Sequence, residues 1–299
     1  MEFTGERMVP DHNKGILMYG EHMVRYEAAL AAVKNKIVLD IASGSGYGTQ
    51  MLAKSAKRVY GVDISAEAVE YAKKNYNATN IEYLVGDAAS IPLPDESIDT
   101  VVSFETIEHI PEYKKFLQEI RRVMKPDGVL IVSTPNDDEY PEGNEYHVHE
   151  FGIDEFKELM SGNYKNIELY YQGAYVVSGI FEKADFKNEW QKKTSVVKNV
   201  AQPAEKVAYL VAICSNGSLP KLDSMVSLAA PWSDRGHMEY VKGFENEIER
   251  LGANEQELEG RLQQLEHNID KIRHSKSWRY TKPLRAFSHK LKGDRGNKK

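Results

Sequence analysis

The stretch Ile37-Val38-Leu39-Asp40-Ile41-Ala42-Ser43-Gly44-Ser45-Gly46-Tyr47-Gly48 constrains the fold more than any other part of the chain. It starts as a short apolar run rich in Val, Ile and Leu, which suits a strand buried on both faces. Asp40 interrupts the run, and Gly44, Gly46 and Gly48 follow it. Glycine permits a sharp turn and lets a ligand approach where a Cβ would collide. A helix starting near Tyr47 would turn its free N–H groups toward whatever lies against the loop. Glycine turns of this kind also serve packing alone, so the rest of the chain must decide.

The strand-then-helix pattern repeats downstream. Arg58 to Asp63 reads as a second strand ending in an acid, and Ser65 to Asn77 as its helix, with Ser65 as N-cap and Ala68, Val69 and Ala72 inward. Ile81 to Val85 runs into Gly86-Asp87-Ala88, and Thr100 to Phe104 runs into Glu105-Thr106-Ile107-Glu108-His109. A helix from about Glu112 to Met124, a turn at Lys125-Pro126-Asp127-Gly128 and a strand from Val129 to Thr134 follow. Residues 153–161 read as helix, and Ile167 to Tyr171 and Val207 to Cys214 as strands. The expectation is an α/β fold: a doubly wound, seven-stranded, mostly parallel Rossmann-like sheet with its ligand loops on one edge.

Around that sheet the chain divides as follows. Residues 1–35 form an N-terminal helical cap, with a helix from about Ile16 to Val33, and 36–215 form the main domain. Within it 174–203, carrying Tyr175, Phe181, Phe186 and Trp190, either covers a substrate or packs on itself. Residues 216–237 are a linker rich in Ser, Pro, Gly and Asp. From 238 to 274 the heptad Val241, Phe244, Ile248, Leu251, Glu255, Leu258, Leu262, Leu265, Ile269, Ile272 predicts a coiled-coil helix. One apolar stripe needs a partner, so a homo-oligomer is expected, with folding back on the domain as the alternative. Residues 275–299 are a basic tail.

Charge narrows the partners. The net charge is −6, yet Lys271 to Lys299 holds eleven Lys and Arg against the single acid Asp294. That tail is +10, which leaves −16 on residues 1–270. An acidic body argues against a general nucleic-acid grip. No run approaches the roughly 18 apolar residues of a membrane span, and the N-terminus lacks the order of a signal peptide. The lone Cys214 excludes an intramolecular disulfide. A cytoplasmic protein, peripheral at the inner face of the membrane through its tail, is the expected setting.

An acid closing the second strand is placed to take hydrogen bonds from both hydroxyls of a ribose, which suits NAD as well as other nucleosides. The loop separates the readings, because it lacks the third glycine at dinucleotide spacing and has no base for a phosphate. The strand with internal Asp40 and then this loop resembles the first motif of class I S-adenosylmethionine-dependent methyltransferases, and the resemblance continues along about 36–215. It implies that Asp63 binds the ribose, with Ile64 beside the adenine, and that Asp87 and the Ala88 N–H meet the adenine edge. Asp40 and the Gly44 and Gly46 backbone would face the methionine end, with Phe104 completing the cofactor site.

The acceptor side is Glu105-x-x-Glu108-His109 with His147-Val148-His149-Glu150-Phe151 further on. Two carboxylates and imidazoles suit a divalent metal (Mg²⁺, Mn²⁺ or Zn²⁺). These motifs, with Ser133-Thr134-Pro135-Asn136, resemble ubiquinone-pathway O-methyltransferases and small-RNA 2′-O-methyltransferases. The resemblance implies Glu105, Glu108, His109 and His147 as metal ligands. Without a metal, His109 or His147 would be the catalytic base, or the histidines would only pack the loop, and His149 competes with His147. The segments Phe3-Thr4-Gly5-Glu6-Arg7 and Ser275-Lys276-Ser277-Trp278-Arg279-Tyr280-Thr281-Lys282-Pro283-Leu284-Arg285 look like enzymes of bacterial surface-polysaccharide assembly. The expected function is therefore O-methylation of a sugar hydroxyl in such a polysaccharide, with the tail on an anionic membrane surface or an assembly partner. A methyltransferase of quinone or other small-molecule metabolism, and an inactive scaffold of the same fold, are the alternatives.

Overall fold

The computed structural model describes residues 8, 17–139, 144, 146–173, 206–222, 226, 250, 252, 258 and 260–280. The candidate substrate cover at 174–203, most of the linker, the first half of the heptad and the tail beyond residue 280 lie outside the described residues, as does the Gly5-Glu6-Arg7 segment. The chain falls into two units, Met1–Pro231 and Trp232–Lys299. Among the described residues no helix is long and apolar enough to cross a membrane.

In the first unit, seven strands form one sheet in the order β3-β2-β1-β4-β5-β7-β6. They are β1 (Ile37–Ile41), β2 (Arg58–Asp63), β3 (Ile81–Val85), β4 (Ile98–Phe104), β5 (Met124–Pro135), β6 (Asn166–Gln172) and β7 (Tyr209–Ser215). The first five pair in parallel, and β7 inserts antiparallel between β5 and β6. This is the mostly parallel, doubly wound sheet expected, with its strand order reversing between β1 and β4. At such a switch point the loops after the two strands diverge and leave a crevice.

Side chains leave a strand alternately to opposite faces, so each strand feeds two cores. Leu39, Val101, Leu130 and Val132 pack with Phe116, Leu117 and Ile120 of helix α4 (Tyr113–Val123) and Phe156 and Met160 of helix α5 (Ile153–Asn163). Val38, Val102, Phe104 and Ile131 pack on the other face with Tyr26, Ala29 and Val33 and with Leu52 of helix α2 (Tyr47–Ala53). Tyr26 and Ala29 belong to helix α1 (Leu17–Ala29), shorter than the expected 16–33 because the chain turns from Leu30 onward.

Helix α3 (Ala66–Asn75) starts as expected: the Ser65 hydroxyl accepts from the Ala68 N–H at 3.2 Å, and Ala68, Val69 and Ala72 are buried. Ser65→Ala is expected to cost about 1 kcal/mol in urea unfolding, since it strands one N–H of the first turn. The strand β5 differs from expectation. It reaches back to Met124, which pairs with Ile98, and the turn expected at Lys125–Gly128 lies inside it as a register irregularity before Val129 meets Thr100.

The second unit is helical over 260–274 and again over Lys276–Tyr280. Leu258, Leu262, Leu265, Ile269 and Ile272 are exposed along it.

Candidate active site

The glycine loop leaves β1 through three left-handed residues: Ala42 (φ 58), Gly44 (φ 54) and Gly46 (φ 87). Gly44 has open space where a Cβ would stand, and that space belongs to a cavity of about 730 Å³. Such room beside free backbone is what a ligand at this loop requires. Gly46 is needed for a second reason: a Cβ there would come within 2.5 Å of Ala72 Cβ. Gly48, inside α2, is dictated by α1 instead, because the Tyr26 ring occupies its Cβ position.

The acids near the loop do different work. Asp63 accepts from the Gly44 N–H at 2.8 Å and from the Ser65 N–H at 2.9 Å, so it ties the loop to the start of α3. Asp40 does not reach the cavity wall. It is buried, accepting from Thr49 Oγ1 at 2.6 Å and Tyr26 Oη at 3.2 Å. Ile64 and Asp87 are exposed at the sheet edge beyond the cavity, and Asp87 accepts from the Ala89 N–H at 2.8 Å. Ala88 sits beside Asp87, half-buried. Phe104 lines the cavity and meets the Tyr26 ring edge-on at 5.0 Å.

Desolvation raises the Asp40 carboxyl from 3.8 to about 7, against its two hydrogen bonds, which lower it. A carboxyl whose folded value is raised adds stability in full below its unfolded value and loses it as pH rises through the folded one. Between about pH 4 and 7 this group therefore makes the ligand-free protein less stable as pH rises. Asp40→Asn should remove that part of the slope in urea titrations across the window, and an unchanged slope would reject the assignment.

Across the cavity the chain beyond β4 turns sharply. Glu105 has φ 49, and the 3-10 turn Ile107–His109 follows. That reversal separates the two glutamates. Glu105 Oε1 accepts from Ser133 Oγ at 2.6 Å and stands 3.7 Å from Arg25 Nη1. Glu108 points inward, fully buried, and accepts from Thr134 Oγ1 at 3.3 Å. Its Oε1 has no hydrogen-bond partner among the described residues. Burial first, and the Glu105 charge second, push the Glu108 carboxyl well above the usual range.

The backbone N–H groups of Val148 and His149 donate to the Glu108 carbonyl at 2.8 and 3.2 Å, which folds the later loop onto this turn. As a result Glu108, His109 and His147 can each offer one ligand atom, all within 4.8 Å of one another. His109 Nδ1 meets the Tyr146 carbonyl at 3.0 Å and His147 Nδ1 meets Glu150 Oε1 at 2.6 Å. A carbonyl only accepts, so His109 carries its proton on Nδ1, and the carboxylate favours the same tautomer for His147. Both Nε2 lone pairs are then left for a ligand, which is how outer partners orient metal-binding imidazoles. A buried carboxylate oxygen that makes no hydrogen bond and stands 3.9 Å from His109 Nε2, beside two such nitrogens, fits a divalent cation.

Glu105, expected among these ligands, is not in the group, since Ser133 and Arg25 hold its carboxylate away. His149 is also elsewhere, bonded to Glu155 at 2.8 Å and stacked on Tyr113 at 5.3 Å. Sequence reasoning missed the N-terminal wall. Met8, Met18, His22, Tyr26 and Tyr47 line the cavity, with His22 Nδ1 2.7 Å from the Tyr47 hydroxyl. Burial, with Arg25 nearby, lowers the His22 imidazole well below its usual range. Tyr209 closes the far side; Arg25 lies over its ring at 4.7 Å.

Residues 39–132 match the family model described as a methyltransferase domain. A Mycolicibacterium smegmatis protein named "Probable S-adenosylmethionine-dependent methyltransferase" is 34% identical over 165 residues, 54% of this chain and 63% of its own length. A second protein of that organism, named "Fatty-acid O-methyltransferase", is 30% identical over 115 residues, 38% of this chain and 42% of its own length. The matches thus span less than two thirds of these relatives. The solved complex of a methyltransferase with the Haloferax volcanii Trm112 methyltransferase activator shares the fold, with a TM-score of 0.52 at 21% identity over 67% of this chain and 92% of that one.

Proposed function

Starting from the class I S-adenosylmethionine-dependent methyltransferase domain that this chain carries, we propose that it methylates a sugar hydroxyl of a bacterial surface polysaccharide, with a divalent metal held by Glu108, His109 and His147. The observation that carries the reading is one cavity whose wall includes both the Gly44 loop and the Glu108–His109–His147 cluster. The loop suits the donor, whose sulfonium and amino-acid tail need backbone and acids rather than a basic phosphate cradle.

In the transfer, the acceptor oxygen attacks the methyl carbon in line with sulfur. One C–O bond forms as one C–S bond breaks, the sulfonium becomes a neutral thioether that leaves as S-adenosylhomocysteine, and the hydroxyl proton passes to water. A metal bound at the cluster would lower the pKa of a coordinated hydroxyl. The protein's share is positioning: it sets the hydroxyl against the cluster, within reach of the donor.

An oxygen acceptor is in keeping with the relative named for fatty-acid O-methylation. The sugar is supported by the terminal segments at 3–7 and 275–285, which resemble polysaccharide-assembly enzymes. The test is mass spectrometry of surface glycans from cells with and without the gene. A mass decrease of one methyl per repeat is expected in its absence, and identical glycans would reject the acceptor. For the metal, dialysis of the purified protein against a chelator should stop turnover, and Mn²⁺, Zn²⁺ or Mg²⁺ should restore it. Full activity in chelator would reject the ion.

A further inference from the structure

We propose that the helix through residues 260–274, with helical Leu258 just ahead of it, is one half of a parallel, in-register coiled coil with a second copy of this chain. Nothing in this proposal depends on the acceptor. Leu258, Leu262, Leu265, Ile269 and Ile272 follow the spacing four, three, four, three, and each is between 47% and 65% exposed. Five large apolar side chains in one stripe on one helix form a seam that water does not leave uncovered without cost. With Leu262 and Ile269 at the a positions, Leu258, Leu265 and Ile272 are at d.

The flanking charges choose the partner and its direction. In a parallel pair, each g position faces the e position of the following heptad on the partner. Arg261 then faces Glu266 of the other copy, twice by symmetry, and Asn268 faces Arg273, so no like charges meet across this stretch. Antiparallel pairing that layers Leu265 on Ile269 brings Glu266 against its own symmetry mate. Exposed ion pairs contribute little to stability, so their effect here is on orientation.

The experiment uses the full chain, in which the native Cys214 is buried and does not compete. Sedimentation velocity should give twice the chain mass. Leu265→Cys under mild oxidation should form a disulfide-linked pair in high yield, while Gln264→Cys, off the seam, should give only the low yield of random collision. Leu265→Glu should return the protein to a monomer with unchanged S-adenosylmethionine binding by calorimetry, which separates loss of the seam from loss of the fold. A monomeric or trimeric native chain would overturn the proposal. So would preferential formation of the mixed disulfide when Leu265→Cys and Ile269→Cys chains are combined, because that pairing is antiparallel.

Discussion

Glu108→Gln should leave a protein that binds S-adenosylmethionine within about threefold of the native chain and yet turns over on the order of 100-fold more slowly. The substitution keeps the shape of the side chain and removes the charge that would hold a cation between His109 and His147. Stability should move the other way. Glu108 is a fully buried carboxylate with one oxygen that makes no hydrogen bond and Glu105 as a neighbour, an arrangement that the fold alone would not favour. An amide there relieves like-charge repulsion, so the melting temperature should stay level or rise. A site that gains stability on losing its function is one where the charge is kept for chemistry. Native turnover in this variant would remove Glu108 from the mechanism. A fall in both stability and donor binding would show instead that it is part of the framework.

Gly48→Ala carries the second large effect. A Cβ at this position would lie 2.0 Å from Tyr26 Cζ and 2.3 Å from Cε1, inside the ring. Tyr26 cannot simply swing away. Its ring is held edge-on by Tyr47 at 5.5 Å and by Phe104 at 5.0 Å, and its hydroxyl donates to Asp40. Helix α1 must shift as a body, at a cost of about 1–3 kcal/mol for overpacking. The same shift opens the cavity wall, so donor affinity by calorimetry should fall as well. Tyr26→Ala in the same chain should restore part of both losses, because the two sites are in contact and their effects do not add. Additive losses would mean that Gly48 serves the loop's own backbone rather than the docking of α1.

The sheet, the helix cap at Ser65 and the glycine turn were legible because each is written in neighbouring residues: periodicity, a capping side chain, left-handed positions. The cluster was only half legible. Spacing along Glu105-x-x-Glu108-His109 cannot say which carboxylate turns inward, since one positive φ at Glu105 sends its side chain to Ser133. Nor can it choose His147 over His149, two residues apart, because the choice rests on two N–H groups reaching back to the Glu108 carbonyl. The roles of Gly48 and Asp40 were not legible at all. Both are set by Tyr26, more than a dozen residues earlier, which no local pattern joins to them.

The wall contributed by α1 bears on the order in which the protein is assembled. That helix is fastened by its Glu21 and Arg25 to Gln172 and Tyr209, at separations of 147 to 188 residues. Contacts between such distant points pay their loop-closure entropy late in folding. Helix α1 therefore has these anchors only after β6 and β7 have been made. A chain interrupted before that point has its glycine loop but lacks the fastening of the α1 wall that lines the same cavity.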